Sequence, residues 1–155
     1  MKNILLLIAI LLFFSAAFSF AFGLINVNNM HQLKFQGKNW YLFEVVIETN
    51  TIRIDRGDKP SLIYTIMFNS ERFTGIGAYS RYFGPYSVKK DHSLFLRKVT
   101  STRLGPKYEM DAFNELEYFK YMENVTRWEI RAGNLELYSS DDDGTQVILM
   151  YNQIH

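Results

Sequence analysis

The chain has 155 residues, 48% of them hydrophobic and 21% charged, which is the composition of one globular domain with no room for a second. Its formal charge is +1 and Lys2 is the only charged residue before Lys34, so beyond that first segment sixteen basic groups balance sixteen acidic ones, which excludes a nucleic-acid binder that works by neutralising phosphates. The absence of cysteine excludes disulfides, thiolate metal sites, a cysteine nucleophile and a lipid-anchored N-terminal cysteine, and His31, His92 and His155 lack the spacing of a metal centre.

Residues 1–21 read as an export signal. Lys2 supplies the charged start, Ile4 to Phe14 the apolar stretch, and Ser15, Ala16 and Ala17 the first small residues. Cleavage is expected after Ala21, where Ala21 and Ser19 stand first and third before the cut. Ala17-Phe18-Ser19 and Ala21-Phe22-Gly23 offer the same pattern. An uncleaved anchor is the competing reading, because Phe18, Phe20, Phe22, Leu24 and Ile25 prolong the apolar run toward the roughly 20 residues of a membrane span. Any membrane contact is expected through this leader.

Residues 22–39 follow as a polar lead, and a single domain is expected over 40–152. Trp40 to Ile47 has the aromatic and β-branched content of a buried strand, with Glu44 as its one interior charge. Arg53 to Pro60 reads as a turn and Ser61 to Phe68 as a second strand, closed by Asn69 to Arg72. Phe73 to Tyr79 and Arg81 to Val88 form the next pair, with Gly75, Gly77 and Gly84 as sites of bends or bulges. Lys89 to His92 is a charged turn, Ser93 to Arg97 a strand, and Val99 to Arg103 a further strand or an irregular return. The short connections make the series antiparallel.

A helix is expected within Tyr108 to Met122, with Phe113, Leu116, Phe119 and Met122 along its buried side, Glu115, Glu117 and Lys120 between them, and Asp111 as cap or first-turn acid. Val125 to Ile130, Leu135 to Tyr138 and Gln146 to Tyr151 are three closing strands, turning at Gly133-Asn134 and Asp141 to Gly144. The sum is a mainly β fold of about eight strands and one packed helix, close to the strand number at which a barrel is filled by side chains or holds one small ligand.

The motifs that invite a chemical reading each have a structural alternative. Gly75-x-Gly77 lacks the helix start that a phosphate loop needs, which leaves a bend in the barrel. Arg81 and Arg103 would clamp a carboxylate or phosphate if they converged, or else pair with nearby acids. Ser101 and Thr102 have no histidine placed to activate them. Asp141-Asp-Asp-Gly144 lacks the alternating acids of a calcium loop and reads as a hairpin turn. Arg56-Gly57-Asp58 is ordinary turn chemistry before Pro60, and Asn124-Val-Thr126 is a glycosylation site only in a eukaryotic secretory host. Tyr79, Tyr82, Phe83 and Tyr86 read either as core or as a ring-lined barrel mouth.

Taken in order, Phe73-Thr-Gly-Ile-Gly-Ala-Tyr-Ser-Arg-Tyr-Phe-Gly-Pro-Tyr86, Ser101-Thr-Arg103, the helix, Trp128-Glu-Ile130 and Leu135-Glu-Leu137 resemble the META domain of the heat-shock protein HslJ type, over roughly Trp40 to Tyr151. Arg81, Tyr82, Gly84 and Tyr86 match one family segment, and Ser101, Thr102 and Arg103 match another. With Gly75 and Gly77 these are the candidate structural or partner-binding residues. Tyr79, Ser80 and Pro106 depart from the family pattern, the first and last where it often carries cysteines. The resemblance implies a small conical β-barrel with a packed helix, found in bacterial envelope proteins linked to heat or antibiotic stress, with no catalytic residues and no cofactor. The expectation is therefore an exported, periplasmic, envelope-associated or secreted protein that is not an enzyme and acts as a binding or structural module. Its partner is either an envelope protein or an apolar ligand carried in the barrel interior or mouth.

Overall fold

The computed structural model describes residues 33–54, 63–103 and 113–153. Residues 1–21, Arg56-Gly57-Asp58, Pro106 and Asp111 lie outside them. Among the described residues there are ten strands and one helix, and the strand pairs are antiparallel throughout.

The central strand is β1 (Asn39–Ile47), which pairs along one edge with β10 (Gln146–Gln153) and along the other with β3 (Thr65–Phe68) and β2 (Asn50–Arg53). Its register shifts between Leu42 and Glu44. This bulge explains why Trp40, Leu42 and then Val45 are buried: one extra residue resets the two-residue alternation. Glu44 is thereby turned outward, 3.8 Å from Arg53.

From β3 the sheet continues through β4 (Arg72–Ile76) and β5 (Ser80–Val88) to β6 (Leu94–Leu96). From β10 it continues through β9 (Asn134–Ser140) to β8 (Arg127–Arg131). The eight-stranded order is β6-β5-β4-β3-β1-β10-β9-β8, with β2 beside β1 and β7 (Thr100–Arg103) beside β5 as two further short strands beyond the expected eight. The two ends meet at a Ser93–Arg127 bridge, where the Leu94 amide donates to the Thr126 carbonyl and the Trp128 amide to the His92 carbonyl, each at 3.0 Å. The result is a nearly closed, mainly β barrel. The β8–β9 turn falls on Ala132 and Gly133, at φ 50° and 86°, the two left-handed residues that a tight hairpin favours.

Inward positions alternate along β3 (Ile66, Phe68), β6 (Leu94, Leu96) and β10 (Val147, Leu149, Tyr151). Burying such a side chain favours folding by roughly 1.5–3 kcal/mol each. Phe35, within the stretch expected to be a polar lead, is also core, its ring 4.7 Å from Phe68 and 4.6 Å from Trp128. The compact unit accordingly starts at Lys34.

The helix, α1 (Glu115–Glu123), starts at Asn114, whose side-chain oxygen accepts the Glu117 amide at 2.9 Å. It buries Glu115, Tyr118, Tyr121 and Met122. The expected stripe is therefore corrected: Leu116 is 73% exposed, and Phe113, although buried, precedes the helix.

Candidate functional site

The glycines of β4 and β5 are fixed by what lies across from them. Gly75 pairs with Tyr82 and Gly84 with Phe73, so each glycine is covered by the ring on the neighbouring strand. A Cβ at Gly75 would lie 2.0 Å from the Thr65 carbonyl oxygen and 2.4 Å from the Tyr82 hydroxyl. At Gly84 it would lie 2.6 Å from the Phe73 ring. Gly77 makes room for a carboxylate instead, since its Cβ would stand 1.9 Å from Glu115 Oε1.

That carboxylate is one of two buried among the described residues, with Glu136. Glu115 Oε1 accepts the Tyr79 amide at 3.3 Å, the Ser80 amide at 3.2 Å and the Ser80 hydroxyl at 2.7 Å, tying the first turn of α1 to the β4–β5 connection. Three donors on one oxygen offset the cost of removing the charge from water. Sequence reasoning placed Glu115 on the polar side of the helix. Only the pair Gly77 and Ser80, one small and one a donor, hinted at a guest.

Inside the barrel, the Tyr82 hydroxyl donates to the Thr65 carbonyl at 2.5 Å and lies 2.7 Å from the Tyr118 hydroxyl, which lies 3.1 Å from that of Tyr151. Burial pushes all three phenols well above their ordinary pKa. Tyr64 is raised as well, by burial and then by the Glu115 charge. Together with Trp40 these rings occupy the interior, in ring contacts such as Tyr64–Tyr118 at 4.9 Å and Tyr82–Tyr118 at 5.7 Å.

The outer face of β1, β3, β4 and β5 holds an open groove of about 280 Å³ lined by Asn39, Thr65, Met67, Thr74, Gly75, Ile76 and Arg81. The register explains the lining. Tyr41, Thr65, Ile76, Arg81 and Thr102 form one cross-strand row, and Asn39, Met67, Thr74, Phe83 and Thr100 form the next. Ile76 at 43% and Phe83 at 42% exposure stand beside Arg81, which is itself exposed. Among the described residues no carboxylate pairs with Arg81. The structural ion pair expected for it is absent there.

The other signature residues divide. Tyr82 is core, while Tyr86 is half-buried, its hydroxyl donating to the Asn69 carbonyl and accepting from Gln36 Nε2, both at 2.5 Å. Ser101 and Thr102 are exposed on β7, with the Thr102 hydroxyl 3.4 Å from the Arg81 carbonyl. Arg103 pairs with Ser80 and Arg81 with Thr102, so the ladder does not set the two arginines opposite each other as a joint clamp. Of the aromatic cluster, only Tyr82 is fully core and Phe83 faces water.

The remaining motifs are engaged locally. Asp141 to Gly144 is the β9–β10 turn. Lys120 of α1 binds the carboxylates of Asp141 and Asp142, and Asp143 accepts the Thr145 amide at 2.9 Å. These partners hold the Asp141 and Asp143 carboxyls below their usual range. Asn124 ends the helix and its side-chain amide donates to the Ser140 carbonyl at 2.9 Å. On β8, Glu129 is flanked by Arg127 at 2.8 Å and Arg131 at 2.7 Å, a satisfied surface ladder.

No protein-family model matches this sequence, and no curated protein matches it either. Among solved structures, the fold is similar to that of a protein from Burkholderia xenovorans determined by NMR, at 17% identity over 77% of this chain and 83% of that one, with a TM-score of 0.54. A crystal structure of a DUF4847 family protein from Bacteroides vulgatus is similar at 12% identity over 77% of this chain and 94% of that one, with a TM-score of 0.47. The first likeness is one of fold alone and agrees with the mainly β architecture.

Proposed function

We propose that this chain is an exported, non-enzymatic binding module of the bacterial cell envelope, with a META-like domain of the HslJ type, serving in envelope stress. Its partner contact is made by the outer face of β3, β4 and β5. The observation that carries the reading is the exposure of Ile76 and Phe83 around Arg81, at an open groove on the sheet. Apolar side chains held in water on a rigid sheet and rimmed by polar ones mark contact surfaces. The family-signature residues fit this division of labour. Gly75, Gly77, Tyr82 and Gly84 build the wall, and Arg81 and Thr102 are presented on its outside. Export rests on the charged, apolar and small-residue order of residues 1–21.

The test is a photo-activated cross-linker in place of Phe83 in the full-length chain, expressed in its native host, followed by envelope fractionation and mass analysis. The expected result is one discrete adduct with an envelope protein, on a mature chain that begins near Phe22. A chain confined to the cytosol, an adduct-free chain in the envelope, or turnover of a substrate by the purified protein would each overturn the proposal.

A further inference from the structure

We infer that the groove on the outer face receives an extended segment of a partner protein that presents a carboxylate and, two residues along the same strand, an apolar side chain. The inference rests on the reading of this face as the contact surface and names the chemistry of its occupant. Arg81 is the one charged residue lining the groove, and among the described residues it has no carboxylate partner. A guanidinium forms short, paired hydrogen bonds with a carboxylate. Those bonds strengthen when neighbouring apolar groups exclude water, and here Ile76 lies directly across from Arg81 on β4 while Phe83 follows two residues along β5.

Spacing and size narrow the occupant. Arg81 and Phe83 point to the same side of β5, so the charge and the ring are separated by two strand steps, roughly 7 Å at the usual rise. An extended partner segment repeats its own side chains at that interval, which lets one position meet Arg81 and the next meet Phe83. The groove holds about 280 Å³ and is open to solvent. That suits one or two inserted side chains better than a drug-sized ligand, whose pockets run to roughly 300–1,000 Å³ and enclose most of it. A polyanion is a poor match, because its affinity grows with the number of phosphates neutralised and a single cation lines this surface.

The test uses the chain as matured in its host and three blocked hexapeptides, one alternating glutamate and valine, one glutamine and valine, and one glutamate and serine. Amide shifts followed by NMR report both site and affinity. The expected result is that the glutamate–valine peptide moves the amides around Thr74, Ile76, Arg81 and Phe83, and binds about tenfold more tightly than either analogue. Arg81→Gln should erase the preference for glutamate over glutamine, and Phe83→Ala the preference for valine over serine. Equal affinity for the glutamate and glutamine peptides, shifts centred on the exposed Leu116, or no shift at millimolar peptide would overturn the inference. A partner cross-linked from position 83 that is still captured by the Arg81→Gln chain would leave the contact surface standing and remove only this chemistry.

Discussion

Gly77 and Glu115 form a fitted pair in which the missing Cβ of one is the space taken by the carboxylate of the other. Gly77→Ala would place a methyl 1.9 Å from Glu115 Oε1 and push the carboxylate away from the Tyr79 and Ser80 donors. Overpacking plus a displaced buried charge should cost about 2–4 kcal/mol, whereas Glu115→Gln keeps the shape and should cost about 1–2 kcal/mol. Urea denaturation midpoints measure both, and an alanine variant as stable as the parent would show that the carboxylate is not confined as described. Tyr82→Phe removes a hydroxyl bonded to the Thr65 carbonyl and to Tyr118, with an expected loss of about 1–2 kcal/mol by the same measurement. The glycines were visible in the sequence as a pattern, but their reason was not. It depends on the β4–β5 register, which sets Tyr82 over Gly75, and on a glutamate far along the chain.

The helix shows where periodicity leaves the phase open. Leu116, Phe119 and Met122 step by three residues, and so do the buried Glu115, Tyr118 and Tyr121. Each series falls back about 60° per step on a helix that advances about 100° per residue, so the repeat is right and its phase is one residue off. The buried set, Glu115, Tyr118, Tyr121 and Met122, keeps to one face. Leu116→Ala should therefore change stability by less than about 0.5 kcal/mol, while Met122→Ala should cost about 2–5 kcal/mol. Asn114→Ala, which removes the cap on the Glu117 amide, should cost about 1 kcal/mol. Thermal or urea unfolding of the three variants separates this arrangement from the expected stripe, for which Leu116 would be the costly position. The strands were read more successfully, since Trp40–Ile47 and Gln146–Tyr151 carry their burial in plain alternation and need only the β1 bulge to set the phase. The short β2 was hidden because it is exposed, with little apolar content to announce it. The outer-face groove was hidden for a different reason: Asn39, Thr65, Thr74 and Arg81 become neighbours only through pairing across four strands.

At the scale of the whole barrel, the interior is held by apolar burial and by a chain of phenols, and that chain gives the fold a pH limit on the alkaline side. Tyr82, Tyr118 and Tyr151 are neutral in the folded protein, with their ionisation pushed well above the ordinary value of about 10 by burial. Tyr121, raised to about 12 by burial and by the nearby Glu117 carboxylate, adds to the effect from the helix side. The unfolded chain releases these protons near pH 10 and the folded chain keeps them, so above that point the unfolded state binds fewer protons and stability declines as pH rises. The contribution is complete below about pH 10 and is lost as pH climbs toward the folded values, at up to about 1.4 kcal/mol per pH unit for each such tyrosine. The expected outcome is a urea midpoint insensitive to these groups from neutral pH to about pH 9 and falling steeply above about pH 10. Phenolate absorbance should show a late group of tyrosines that ionise together with loss of near-ultraviolet circular dichroism. Tyr118→Phe, which removes the middle of the chain, should make the decline shallower even where it lowers stability at neutral pH. If every tyrosine ionised at its ordinary value while the fold persisted, the buried chain of hydroxyls would not exist in solution.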